Sequence, residues 1–229
     1  MPILYNYTRI YIVKLQSFAA CALLPFAFNI NAAENTSLPI ENNLAYSVYA
    51  GITTGGDELI DLEYENGPSQ SIKAGGLINL GAGAKYTFNN LWSLQTNLGY
   101  HFDSDNADNA DISFSRWALD IIPYYQINDA FKVGVGITYH LNTEFEVEMG
   151  STIDAKTSFE SSAGLVASVG YQFENPNSWV ELRIVSISYN ADKVTLDRAF
   201  GMSINETINN VDVPSIDGNH IGLTYHYVF

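Results

Sequence analysis

Asp103-Ser104-Asp105-Asn106-Ala107-Asp108-Asn109-Ala110-Asp111 sets four carboxylates into one short stretch. Oxygen donors of this kind suit a hard divalent cation, and Asp103, Asp105, Asp108 and Asp111 are the candidate calcium ligands. The stretch departs from the EF-hand pattern at Ala107 and lacks that pattern's glycine and closing glutamate. Spacing alone supplies no convergent geometry, so a solvated, repulsive acidic surface is the more economical reading. His101, His140 and His220 form a second set, each near one end of an apolar segment, with His226 towards the other end of its own. Their segments are not neighbours, which favours hydrogen-bonded histidines over a metal site. Ser186 and Ser188 are two apart but have no histidine beside them, so the nucleophile and base of a serine hydrolase are not assembled. Lys85, Arg116, Asp120, Lys132, Glu181 and Arg183 each fall in the polar phase of an alternating segment.

Those segments are the elements that must position such groups. Strand side chains point alternately to opposite faces, so period-two alternation predicts strands with one apolar face. Eight such segments follow one another. They are Leu44 to Thr53, Ile78 to Phe88, Leu91 to Phe102, Ile112 to Ile127, Phe131 to Leu141, Ser162 to Phe173, Trp179 to Tyr189, and His220 to Phe229. The fifth is the most regular, with Phe131, Val133, Val135, Ile137, Tyr139 and Leu141 alternating with Lys132, Gly134, Gly136, Thr138 and His140. In the fourth, Pro123 has no N–H to donate and predicts a local break in pairing. In the seventh, the apolar residues shift to Val185, Ile187 and Tyr189, which predicts a β-bulge or a strand leaving its layer.

The links sort by length. Asn89-Asn90, Asn128-Asp129 and Glu174-Asn175-Pro176-Asn177 are tight turns, and between them lie the long links Thr54–Leu77, Asp103–Asp111, Asn142–Ser161 and Asn190–Gly218. Strict alternation of short and long predicts an all-β, eight-stranded antiparallel up-and-down transmembrane barrel, with short periplasmic turns and long acidic extracellular loops. A soluble sandwich has no reason to sort its loops this way. No segment after the first 33 residues reaches 18 consecutive apolar residues, so the membrane would be crossed by strands. Nineteen of the 25 acids fall in the four long links. Lipopolysaccharide phosphates would be repelled by such a rim unless divalent cations bridged the two.

At the other end of the chain, Arg9 and Lys14 precede an apolar run from Phe18 to Phe28 and the small residues Ala32 and Ala33. This reads as a secretory signal peptide over residues 1–33, followed by a short periplasmic segment, 34–43, and the barrel, 44–229. Cleavage there removes the only cysteine, Cys21, together with two cations and no acid, so the net charge of −15 becomes more negative still. Disulfides and thiolate metal sites are thereby excluded, and nucleic acid is not a partner for so acidic a chain. No cofactor is expected.

An eight-stranded barrel has an interior that side chains just fill. Its inward positions include Gly51, Gly81, Gly83, Gly99, Gly134, Gly136, Gly164, Gly170 and Gly222, which lets one expect room for water. Lys85, Arg116, Asp120, Lys132, Glu181 and Arg183 share that space and should pair, since an unpaired buried charge is costly. The network could stiffen the lumen or act as a gate.

Ala118-Leu119-Asp120-Ile121-Ile122-Pro123-Tyr124-Tyr125-Gln126-Ile127-Asn128, followed by Val133-Gly134-Val135-Gly136-Ile137-Thr138-Tyr139-His140-Leu141-Asn142, resembles the central hairpin of small bacterial outer-membrane barrels. That group includes the OmpA transmembrane domain and OmpW-like porin-family barrels. The terminal strand, with Tyr225, Tyr227 and Phe229, resembles the signal that the barrel-assembly machinery reads. The resemblance implies residence in the outer membrane of a Gram-negative bacterium as a monomer among lipid and lipopolysaccharide. It also implies handling by periplasmic chaperones and the assembly machinery. It implies no defined activity. A non-enzymatic envelope-structural or surface-interaction role is the first expectation, a narrow conduit for small or hydrophobic solutes the second, and a lipid-modifying enzyme the third. Deletion of Phe229 should reduce the heat-modifiable barrel in the outer membrane, and unchanged levels would refute the assembly role.

Overall fold

The computed structural model describes residues 43–62, 70–107, 110–175 and 177–229. The signal segment 1–33 and all but the last residue of 34–43 lie outside them, as do Glu63, Glu65 and Asp108. Eight strands form the barrel wall: β1 Leu44–Gly55, β2 Leu77–Thr87, β3 Trp92–Ala107, β4 Ala110–Gln126, β5 Phe131–Met149, β6 Ser162–Gln172, β7 Ser178–Ser186 and β8 His220–Val228. Each pairs antiparallel with its chain neighbours, and β1 pairs with β8, so the sheet closes without an edge in the wall. Closure matters because an unpaired backbone group facing hydrocarbon costs several kcal/mol.

The three short turns are held by asparagines. Asn89 Oδ1 accepts from the amides of Leu91 and Trp92 at 2.9 Å each, and Asn128 Oδ1 from those of Ala130 and Phe131 at 2.9 Å each. Asn175 Oδ1 accepts from the amide of Asn177 at 3.0 Å. Side-chain acceptors of this kind replace a backbone partner in a tight reversal.

Outward residues on every wall strand are large, apolar and exposed, among them Val48, Leu80, Leu98, Ile121, Val135, Leu165, Leu182 and Leu223. At the short-turn end the outward residues are aromatic. Trp92 and Tyr125 lie 5.1 Å apart, Phe131 and Tyr171 5.2 Å, Tyr171 and Phe173 5.5 Å, and Tyr227 and Phe229 5.3 Å between ring centroids. An apolar band with an aromatic girdle, closed on itself, is stable against lipid and not against water. The wall is that of an integral outer-membrane barrel.

The register refines several strands. Pro123 is paired with Leu94 of β3, but the β4–β5 register passes from Ile121–Ile137 to Tyr124–Gly134 without Ile122 or Pro123, the local break expected of a residue without N–H. β7 contains no bulge: its register with β6 and β8 is continuous to Ser186 and Val185 respectively. Val185, Ile187 and Tyr189 keep the inward phase and are buried, so the apolar set changes faces while the strand does not. The phase change lies in β5 instead. Ser115 faces Glu144 and Trp117 faces Leu141, and Asn142, with φ of 47°, absorbs the extra residue. Beyond it the buried phase moves from His140 to Thr143, and Phe145, Val147 and Met149 turn towards the core while Glu144, Glu146 and Glu148 turn away.

The long links are built largely of strand. β3 and β4 stay paired to Ala107 and Ala110, so 103–107 and 110–111 are paired strand rather than irregular loop. The outer part of β5 pairs with Ile153–Phe159, which pairs with Ala191–Ala199, which pairs with Met202–Asn209. Together they extend one side of the wall into a sheet beyond the membrane band. Its surface carries Lys156 bridging Glu144 and Glu146 at 2.7 and 2.9 Å. The bond to Glu144, then that to Glu146, holds the ammonium pKa above its ordinary value despite slight desolvation. At this exposure each pair contributes at most ~1 kcal/mol.

Inward glycines do not open the lumen. They are notches for neighbouring side chains: a Cβ on Gly99 or Gly81 would run into the Tyr49 ring end, one on Gly134 into Tyr124, and one on Gly170 would sit 2.9 Å from both Lys132 Cε and the Trp179 ring. At these four glycines the space is taken by side chains. Gly170→Val should therefore destabilise the barrel by ~1–3 kcal/mol, read as a lower urea midpoint for the heat-modifiable form, and Trp179→Leu in the same chain should recover part of the loss. An unshifted midpoint would show that the notch is not filled.

Candidate functional site

The inward face stacks polar groups in tiers. At mid-depth Arg183 Nη2 donates to Asp120 Oδ2 at 2.8 Å, with the two side chains 3% and 2% exposed. One residue separates Glu181 from Arg183, so both point inward, and Glu181 Oε2 accepts from His226 Nε2 at 3.0 Å. His226 stacks on Trp179 at 4.0 Å between centroids, and Lys132 Nζ lies 3.1 Å from the centre of that indole and 5.0 Å from the Tyr124 ring. Trp179 and Tyr124, both buried, fill the periplasmic end of the lumen.

Charges thus pair only in part. Among the described residues, Arg116, Lys85 and Lys132 have no carboxylate within ion-pair distance. Lys132 is met by π-faces, and Arg116 by Phe114 and Tyr189 rings at 5.3 and 5.9 Å and by His101, whose Nδ1 lies 2.6 Å from Arg116 Nη2. Cation–π contact compensates part of the desolvation of such groups. Lys85 is half-buried near the periplasmic end.

His101, His140 and His220 do meet, across the lumen rather than along the wall. Their ring centroids are 5.2 Å apart for His101 and His220 and 6.4 Å for His140 and His220. Each is already bonded: His101 to Thr53 Oγ1 at 2.5 Å, His140 Nδ1 to Tyr189 Oη at 2.7 Å, and His220 Nδ1 to the Gly218 carbonyl at 2.8 Å. Strand adjacency is the wrong test for proximity here, because strands that are not neighbours face each other across so narrow a barrel. The Arg116 guanidinium among the three rings opposes a cation.

Of the acidic candidates, Asp103 is turned inward and accepts from the Lys73 amide at 3.2 Å, whereas Asp111 is exposed and faces Asn106 in the register. Among the described residues no three His, Cys, Asp or Glu side chains converge as a metal site.

Above the histidines the lumen ends in an apolar seal, which sequence reading did not identify. Phe114, Phe159 and Tyr189 lie about 6 Å from one another (5.8, 6.0 and 6.1 Å), with Ile112, Val166, Val185 and Ile187 around them. Ile72 and Ala74 of the first long link complete it, both buried. That link is tied to the fourth: the Asp57 amide donates to the Asp217 carbonyl at 2.7 Å, and the Asp217 amide to Asp57 Oδ2 at 2.8 Å. The signal was present in Val185, Ile187 and Tyr189, whose phase is the polar one.

No protein-family model matches the chain, and no curated protein matches it in sequence. Among solved structures it is similar to Ail, the attachment invasion locus protein of Yersinia pestis, at 10% identity over 81% of this chain and 97% of that one, with a TM-score of 0.46. It is similar to Neisserial surface protein A at 12% identity over 82% and 98%, with a TM-score of 0.44. A third likeness is to the outer membrane protein OprG of Pseudomonas aeruginosa, at 14% identity over 81% and 94%, with a TM-score of 0.41.

Asp120→Ala leaves the Arg183 charge buried without its acid and should cost ~3–5 kcal/mol. The double variant Asp120→Leu with Arg183→Met should cost less than that single change, measured by urea unfolding in amine-oxide detergent. Equal or additive losses would show that the two charges do not act as a pair.

Proposed function

We propose that this protein is a non-enzymatic outer-membrane barrel that serves as a rigid platform for the sheet it raises above the membrane, in an envelope-structural or surface-interaction role. The observation that carries this reading is the asymmetry of the molecule. The lumen is filled and sealed, while β3, β4 and β5 run on past the apolar band and recruit further strands. Construction of this kind favours presentation outward over passage through.

A conduit would require Asp120 and Arg183 to separate, the Trp179–His226 stack to shift and the Phe114, Phe159 and Tyr189 seal to leave the mouth. Each is a packed or desolvated contact whose rupture is unfavourable. A hydrolase would need a base beside an exposed nucleophile. Ser186 and Ser188 face out of the wall, whereas all four histidines of the chain are buried in the lumen.

The outermost hairpin exposes Phe200 and Met202 at its turn and Ile208 further along its edge strand. Planar bilayers containing the refolded barrel should stay silent, in wild type and in Asp120→Ala alike. Replacement of 191–209 by a short Gly-Ser linker should leave heat-modifiable folding intact while abolishing any binding of cells to surfaces or host proteins. Regular conductance steps in the wild type would overturn the platform reading.

A further inference from the structure

On the outer wall, at the extracellular end of β6 and β7, the apolar surface gives way to a recess of about 380 Å³. It arises from a change of partner. β7 pairs with β6 as far as Ser186 opposite Leu165, after which Ser188 and Tyr189 pair with Asp217 and Ile216 of the fourth long link. The Gly218 amide donates to the Ile187 carbonyl at 2.9 Å, and the Ile187 amide donates to Asn219 Oδ1 at 2.8 Å, which holds the link in place.

Ser186, Ser188, Ser215, Asp217, Asn219 and Ala163 line the recess. Its immediate surroundings are lipid-facing: Leu165 is 64% exposed and Ile184 59% exposed, and Ile184 stands opposite Ile221. Around the same end of the wall β3, β4 and β5 carry aromatic rings, with Tyr100 opposite Trp117 and Tyr139 opposite Ala163. The girdle stops at Ala163, and hydroxyls take over where rings would stand.

On the reading of this chain as an outer-membrane barrel, we infer that the recess binds the sugar headgroup of an outer-leaflet glycolipid whose acyl chains lie along Leu165, Ile184 and Ile221. Three hydroxyls match the donor and acceptor pattern of a saccharide, and Asn219, engaged through Oδ1 with the Ile187 amide and through Nδ2 with Asp217, orients the carboxylate beside them. A carboxylate suits sugar hydroxyls as donors, and no cationic side chain lines the recess among the described residues, so a sugar ring fits it while the phosphates of the glycolipid lie outside it, neutralised by divalent cations. The Asp217 oxygens accept from the Asn219 amide and Nδ2 at 2.7 and 3.0 Å and keep lone pairs for a ligand hydroxyl. Tyr139, 40% exposed beside Ala163, offers a ring face to the apolar side of a sugar. The volume lies within the range of small-ligand sites.

The test uses the refolded barrel in amine-oxide detergent, with magnesium present to neutralise lipid phosphates, and deep-rough lipopolysaccharide, phosphatidylglycerol or free inner-core oligosaccharide, and counts retained molecules by native mass spectrometry. Wild type should retain lipopolysaccharide in preference to phosphatidylglycerol, and dodecyl maltoside should displace it where amine oxide does not. Ser186→Leu with Ser188→Leu should weaken retention about tenfold or more, as expected for two lost hydrogen bonds, while heat-modifiable mobility stays that of the wild type. Equal retention of phosphatidylglycerol, equal binding of the free oligosaccharide, or unaltered retention by the folded double variant would each overturn the inference. Should the double variant fail to fold, the lipid preference and the maltoside displacement, both read on wild type, decide it. A barrel that inserts into lipid yet shows no glycolipid preference sinks only this inference, whereas failure to insert sinks the outer-membrane reading itself.

Discussion

Backbone hydrogen bonds have no substitute in hydrocarbon, and the molecule is organised around that constraint. Eight strands close on themselves through the β1–β8 and β5–β6 pairings, so that no edge faces lipid within the wall. Closure dictates the alternation of faces, and the alternation dictates which side chains share the lumen. Pro123 marks the limit of tolerance, since the wall accepts one interrupted ladder provided that the pairing resumes at once.

With the wall closed, the interior becomes a packing problem in a narrow tube. Glycine on one strand receives an aromatic ring from another, so Gly81 and Gly99 take Tyr49 and Gly134 takes Tyr124. Buried charge is then held in whatever geometry remains. Asp120 and Arg183 form a direct pair, Glu181 uses a histidine, and Lys132 rests against an indole. Specific contacts of this sort are hard to rearrange in part, which is why a filled lumen also argues for a rigid one.

On the platform reading, rigidity below supports what stands above. The bulge at Asn142 turns Phe145, Val147 and Met149 towards the apolar seal and sends the three glutamates to the other face. The strands that leave the membrane are thereby anchored to the same core that closes the barrel. The outer sheet is an extension of the wall and inherits its stiffness.

Much of this was legible in residue order. Period-two alternation located all eight wall strands, loop lengths assigned the two rims, and the phase of Asp120, Glu181 and Arg183 placed them inside, because a strand offers a side chain only two directions. What alternation could not convey is which strands face each other across the tube. His101, His140 and His220 looked separate along the chain and meet in space. The inward glycines suggested emptiness because a single strand does not reveal the ring that fills its notch. Of the charges expected to pair with one another, Asp120 and Arg183 do so, whereas Glu181, Lys132 and Arg116 have histidine or aromatic partners. Within the long links the same blindness applies: the sheet beyond the membrane exists because distant segments add to β5, and its partners are separated by dozens of residues. The sequence by itself determined the wall, its two faces and its orientation, which follow from local periodicity and local turns. Only the tertiary structure decided which side chains meet inside the lumen, that the rim is a sheet and that a polar recess lies at the outer end of β6 and β7, since each depends on contacts between strands far apart in the chain.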